Sequence, residues 1–258
     1  MDQKKIYRGS MRGSFMQIRQ AGFRPTTVID VGAALGTFDL YEVFPESHHF
    51  LIEPVVENEP YLKNICHKLA KADYIIAAAV EKPGEVSLGV NPSLIHSSVS
   101  DSTESVSNGV NLRKITGITL DQICCERGYS GPYLVKIDVD GRELEVLAGA
   151  LRILEETEYA IIEVSLVGSK MYDVINVMRR SGFVPYDIVD LAWRPSDAML
   201  WQVDMAFVKD KGRFRQDVEI TKTADEEVAL NAHLKKYRDS MIHYLEHEFS
   251  PGSQGSDQ

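Results

Sequence analysis

The sequence predicts an α/β fold: a doubly wound, mostly parallel sheet with helices on both faces, an antiparallel finish and helical additions at both ends. Three observations carry this. Short apolar, β-branched runs at 28–31, 50–52, 74–80, 134–139 and 160–164 have the length and composition of buried strands. Stretches of helical spacing separate them, and a helix between two strands is the usual crossover of a parallel pair. Two later runs, 183–190 and 203–209, have only a loop between them, which predicts an antiparallel pair at the sheet edge.

The elements follow in order. The first strand runs into a glycine turn at 32–36, and the second ends in Glu53-Pro54. Residues 91–111, rich in Ser, Asn and Asp, are expected as a long polar loop of the kind that covers binding sites. Residues 142–156 place Leu144, Leu147, Leu151 and Leu154 on one helical face, with Asp140 as the expected cap and Gly141 at the opening. A helix over 169–181 stops at Gly182, and a last amphipathic helix occupies about 224–249. The expected organisation is a basic N-terminal arm or helix over 1–24, one ligand-binding domain over 25–210, a C-terminal helical extension over 211–249 and a disordered tail over 250–258.

Composition narrows the function classes. The 258 residues are 44% hydrophobic and 26% charged, ordinary globular values. Net charge is −10, which opposes nucleic acid as a partner. The charge is uneven: residues 1–24 carry six bases against Asp2, and residues 224–258 carry seven acids against three bases. These ends are expected to be solvated, and their opposite charges are also compatible with a homodimer. Cys66, Cys124 and Cys125 form no disulfide framework, so a reducing, cytoplasmic setting is expected. No apolar run reaches the about 18 residues of a membrane span.

The motifs carry the chemistry. In Asp30-Val31-Gly32-Ala33-Ala34-Leu35-Gly36, Gly32 lets the chain turn and Gly36 lets the following helix approach the sheet. The third glycine of a dinucleotide fingerprint is missing, and Asp30 would repel a pyrophosphate while suiting a cationic amine or sulfonium. Glu53, 23 positions after Asp30, stands where a carboxylate can accept both hydroxyls of a ribose.

These motifs, with Lys136-Ile137-Asp138-Val139-Asp140-Gly141-Arg142-Glu143-Leu144-Glu145, resemble those of FkbM-family methyltransferases in order and spacing over about residues 15–210. The resemblance implies a class I, Rossmann-like methyltransferase fold with a seven-stranded sheet, and S-adenosylmethionine as cofactor. It further implies O-methylation of a sugar, glycoside or other hydroxylated natural product. On that basis Gly32, Ala33 and Gly36 lie beneath the methionine part, Glu53 and Pro54 on the ribose side, and Ala79 and Val80 beside adenine. Asp30 and Asp138 face the amino group and sulfonium. The chain departs from the family pattern at Ala34, where Asn is usual, and at Asp140, where Glu is usual.

Methyl transfer to oxygen needs alignment and removal of the hydroxyl proton. The strand ends offer three catalytic candidates, Asp138, Asp140 and Glu163, with Asp138 or Glu163 favoured as base by position. Alternatively Asp138 and Glu163 hold a divalent metal such as Mg²⁺, or Asp140 merely caps its helix while Glu163 pairs with Lys136. His96 in the polar loop and Trp193-Arg194 between the last strands are candidate acceptor contacts. Two other functions fit a strand–turn–helix unit with a ribose carboxylate: a nicotinamide-dependent oxidoreductase, and a methyltransferase-like protein that binds cofactor without catalysis.

Overall fold

In the computed structural model the described residues are 7–92, 94, 97–100, 111–217 and 219–250. The chain divides between Arg215 and Gln216 into two compact units.

In the larger unit, α1 (Met11–Gln20) begins at Ser10, whose hydroxyl accepts from the Gly13 N–H. The basic stretch over 1–24 was expected to be solvated, yet Phe15, Ile18 and Phe23 are fully buried. Its arginines meet acids instead of water alone: Arg12 pairs with Asp39 and Glu42, Arg19 and Arg24 with Glu46, and Arg8 with Asp187.

Strand β1 (Thr27–Val31) leads to α2 (Phe38–Val43), β2 (His48–Glu53), a single 3-10 turn, α3 (Glu59–Lys68) and β3 (Ala72–Ile76). After the two-residue β4 (Ala78–Ala79) come β5 (Gly84–Val90), β6 (Ser98–Ser100) and β7 (Asn111–Ile118). Helix α4 (Leu120–Arg127), β8 (Tyr133–Ile137), α5 (Glu143–Ala148), α6 (Leu151–Glu156) and β9 (Thr157–Ser165) follow, then α7 (Lys170–Arg180), β10 (Phe183–Trp193) and β11 (Leu200–Lys209).

The main sheet has seven strands in the order β10-β11-β9-β8-β1-β2-β3. β1 runs parallel to both β2 and β8, and β9 parallel to β8, whereas β11 is antiparallel to β9 and β10. This is the class I methyltransferase arrangement, with the switch point between β1 and β8. Every residue of β1 and β8 is buried, so their apolar runs are continuous rather than alternating. Ile29, Val31, Val135, Ile137, Ile162 and Met205 pack on one face; Val28, Leu134, Ile161 and Ala206 pack on the other, against Phe15, Leu40 and Phe44.

Three local expectations change. The run 74–80 divides after Ile76, and Ala78–Ala79 leaves the main sheet to pair with Gly117 and Ile118. The polar stretch from 91 is not simply a loop: β6 joins a second, four-stranded sheet of order β4-β7-β5-β6. The helix over 142–156 is two helices, broken at Gly149, where a Cβ would lie 2.2 Å from the Val80 carbonyl oxygen. Asp121 caps the second helix by accepting from the N–H groups of Arg152 and Ile153 at 3.0 and 2.9 Å. The break rotates the buried face to Val146, Leu147, Ile153 and Leu154, leaving Leu151 58% exposed. Asp140 does not cap α5: Arg142 occupies that position, and Asp140 takes a left-handed φ of 53°.

In the smaller unit, α8 (Ala224–His247) opens with a capping box between Thr223 and Glu226 and buries none of its residues. The expected tail beyond Ser250 lies outside the described residues. Among the described residues, no helix is long and apolar enough to cross a membrane. Cys66, Cys124 and Cys125 are free thiols.

Candidate active site

A cavity of about 420 Å³ opens at the carboxyl ends of β1, β2, β8 and β9, beside the switch point. Its floor begins at Gly32. Here the chain turns at φ 74°, so tightly against the end of β8 that a Cβ would sit 1.7 Å from the Asp138 carbonyl oxygen. The Gly32 and Ala33 N–H groups both donate to the Ile52 carbonyl, at 2.9 and 3.1 Å. Only glycine meets both demands.

Glu53 ends β2 facing this turn. It is buried and accepts three hydrogen bonds: from Ala34 N–H at 2.8 Å, Val55 N–H at 2.9 Å and Asn58 Nδ2 at 3.1 Å. Burial pushes its carboxyl above the ordinary glutamate value, against the pull of these donors. Pro54, Val55, Ala77, Ala78 and Ala79 continue the wall, and Leu94 and Ser97, which precede β6, and Val99 within it close it from another side. Arg142 fastens that side by donating from Nε to the Val99 carbonyl at 3.0 Å.

The opposite end is acidic. Asp138, Asp140 and Glu163 all border the cavity. Burial first, then the charges of Asp138 and Asp140, pushes the Glu163 carboxyl up to about 9. Asp204, directly opposite Glu163 across the β9–β11 pairing, is pushed up to about 7 by burial and by Asp138 and Asp190. Lys136 is the cation of this group. Its Nζ lies 3.4 Å from Asp30 and 3.3 Å from Asp138, and donates to the Gly32 carbonyl at 2.9 Å. Burial opposes its charge, but the two aspartates outweigh that and hold its pKa above the ordinary lysine value. Glu163 is therefore not the partner of Lys136 that sequence alone left open.

Seven of the expected site residues border the cavity: Gly32, Glu53, Pro54, Ala79, Asp138, Asp140 and Glu163. Asp30 does not. It is fully buried beneath the turn and accepts from Thr37 Oγ1 at 3.1 Å and Tyr41 Oη at 2.5 Å. Ala33, Gly36 and Val80 lie behind the lining; a Cβ on Gly36 would meet Ile65 Cδ1 at 2.5 Å, so this glycine admits α3 rather than a ligand. Trp193, exposed at the end of β10, and Arg194, paired with Asp197, do not line the cavity either. His96 lies outside the described residues. Among the described residues, no group of three or more His, Cys, Asp and Glu side chains is arranged to hold a metal ion.

Asn58, Arg142 and Asp204 were missed. Asn58 belongs to no spacing pattern, Arg142 lies inside the quoted motif but its tie to Val99 depends on the fold of the smaller sheet, and Asp204 faces Glu163 only through an antiparallel register about 40 residues distant in sequence.

The profile of the methyltransferase FkbM domain matches residues 30–185, more than half of the chain. The chain belongs to the FkbM methyltransferase family. It is accordingly an S-adenosylmethionine-dependent methyltransferase, and not the nicotinamide enzyme that a strand–turn–helix unit alone would permit. Among solved structures, this FkbM-family protein is similar to precorrin-6y C5,15-methyltransferase from Geobacter metallireducens, with 8% identity, 80% of this chain and 92% of that chain covered, and a TM-score of 0.42. It is also similar to magnesium protoporphyrin IX methyltransferase from Synechocystis, with 10% identity, 77% of each chain covered and a TM-score of 0.44. A third similarity is to a fibrillarin pre-rRNA processing protein from Methanococcus jannaschii, with 12% identity, 72% and 67% coverage and a TM-score of 0.45. No curated protein matches the chain.

Proposed function

We propose that this FkbM-family enzyme transfers a methyl group from S-adenosylmethionine to a hydroxyl oxygen of a small acceptor, a sugar, glycoside or other hydroxylated natural product. The observation that carries this reading is the polarity of the cavity. A buried, triply bonded Glu53 stands at one end and the carboxyl group of Asp138, Asp140 and Glu163 at the other.

The cofactor fits such a site chemically. Its volume falls within the roughly 300–1,000 Å³ of small-molecule pockets. Glu53, held by Ala34, Val55 and Asn58, retains lone pairs for ribose hydroxyls. Ala79, with Ala77 and Ala78, offers an apolar flank for adenine, and Pro54 continues the wall from Glu53. Gly32 lets backbone approach the methionine part, and the acidic end suits the ammonium and sulfonium charges. Asp30, Ala33, Gly36 and Val80 support the lining from behind.

When bound, the cofactor supplies an electrophilic methyl carbon. The protein aligns the acceptor oxygen with it and takes up the proton. As the oxygen–carbon bond forms and the carbon–sulfur bond breaks, the hydroxyl proton passes to a carboxylate. Asp138 has that role: it is 40% exposed, borders the cavity and is ion-paired with Lys136. Glu163, whose carboxyl is raised to about 9, holds its own proton near neutrality and shares it with the neighbouring Asp138 carboxylate, which it orients. Asp140 stands exposed at the mouth, where it meets the acceptor.

Steady-state kinetics on Asp138→Asn and Glu163→Gln test these roles. A general base contributes about 10²–10⁴-fold, so Asp138→Asn is expected to lose at least a hundredfold in kcat with little change in cofactor affinity. A wild-type kcat in Asp138→Asn would overturn the assignment.

A further inference from the structure

We propose that Lys136 is a positioning residue for methyl transfer, acting through the Gly32 carbonyl and the Asp138 carboxylate. This rests on the proposed placement of cofactor and acceptor against Gly32 and Asp138.

Lys136 lies on β8, directly opposite Asp30 in the parallel pairing with β1. Its side chain is 5% exposed and meets three oxygens from three segments: Asp30 within β1, Gly32 in the turn beyond it, and Asp138 at the end of β8. Its ammonium donates to the Gly32 carbonyl and is ion-paired with both aspartates. The Gly32 contact is the shortest, 2.9 Å against 3.4 and 3.3 Å for the two carboxylates.

Simple neutralisation of Asp30 does not explain that pattern. Asp30 already accepts from Thr37 and Tyr41, one hydroxyl on each oxygen. The stem of Lys136 instead carries its nitrogen forward to the turn. There the backbone of β1 and β8 is already in contact, with Asp138 N–H donating to the Val31 carbonyl at 3.1 Å. Lys136 adds a side-chain tie across the same junction and holds Gly32 and Asp138 in one relative position. A turn that must present its backbone to one ligand while its neighbour presents a carboxylate to another gains from such a tie.

The test compares S-adenosylhomocysteine binding by calorimetry in the full chain for wild type, Asp30→Asn, and Asp30→Asn combined with Lys136→Met. The double variant removes both members of the buried pair, so no isolated charge is left opposite position 136. If Lys136 serves only to neutralise Asp30, the double variant binds as tightly as Asp30→Asn. If it positions Gly32 and Asp138, the double variant binds at least tenfold more weakly than Asp30→Asn at comparable thermal stability. Equal affinities overturn the proposal. Should the Met variant fail to fold, Lys136→Gln in the same Asp30→Asn background takes its place, because the shorter, neutral amide stays polar but cannot hold both the Gly32 carbonyl and the Asp138 carboxylate. An affinity below that of Asp30→Asn supports the proposal, and an unchanged one overturns it. The underlying placement is checked separately: wild-type binding that is weakened by Glu53→Ala upholds it, and no wild-type binding removes it.

Discussion

Glu163 and Asp204 face each other directly across the antiparallel pairing of β9 and β11, two carboxyl groups on the sheet face that ends at the cavity. Burial first, and then the nearby charge of Asp138, makes both groups hold protons that exposed carboxylates would release. A structure that places acids here sacrifices stability for an environment in which carboxyl groups exchange protons near neutral pH.

The pair predicts a pH dependence of stability. Both folded-state pKa values lie above the ordinary carboxyl range, at about 9 for Glu163 and about 7 for Asp204. Between the unfolded values near 4 and these raised values, the folded chain binds more protons than the unfolded chain. Stability therefore falls as pH rises through that window. Thermal unfolding at several pH values is expected to show Tm declining from pH 5 to 9. Asp204→Asn should flatten that decline and stabilise the protein by about 1 kcal/mol at pH 8. A Tm that rises over this range would contradict the placement of the two groups.

Glu53→Ala removes an acceptor shared by Ala34, Val55 and Asn58 as well as the proposed ribose contact. Calorimetry should show S-adenosylhomocysteine binding weakened by about 1–3 kcal/mol. Unchanged affinity would remove Glu53 from the ribose assignment.

Of the three positive-φ residues in the turn after β1, Gly32 and Ala34 have opposite prospects. Gly32→Ala would force a Cβ onto the Asp138 carbonyl and should cost about 3 kcal/mol or more in chemical denaturation. Ala34, at φ 44°, carries a Cβ where the family usually has Asn, which tolerates this region better. Ala34→Asn is expected to stabilise the fold by roughly 0.5–1 kcal/mol, and destabilisation would argue against this turn geometry.

Metal dependence has a direct expectation. Asp138 is engaged by Lys136, and Glu163 is raised to about 9, so both are poorly prepared to ligate a cation. Turnover after chelator treatment, and again after added Mg²⁺, should not change; a chelator-sensitive rate restored by Mg²⁺ would reverse that conclusion.

What was legible in the sequence follows the range of the interactions concerned. The strands around Asp30, Glu53 and Asp138 were legible because a buried parallel strand and its glycine turn are written in a few consecutive residues. The depth of Asp30 was not. It lies two residues before Gly32 on the same sheet face, hence one row below the cavity, and it faces Tyr41 from the next helix rather than a ligand. The smaller sheet was missed although Val86, Leu88 and Val90 alternate with Glu85, Ser87 and Gly89, because their partner strand at 111–117 lies beyond a polar segment and pairs through a register that spacing leaves open. The partnership of Lys136 with Gly32 and Asp138, and the facing of Glu163 by Asp204, both depend on strand register, which sequence spacing leaves open.

The most direct test is to incubate the full chain with isotopically methyl-labelled S-adenosylmethionine and hydroxylated small-molecule extracts, and to identify the labelled product by mass spectrometry and NMR. The expected result is a methyl ether on a sugar or other hydroxylated small molecule, formed at least a hundredfold more slowly by Asp138→Asn. Label on nitrogen, carbon or a macromolecule, or equal transfer by Asp138→Asn, would contradict it.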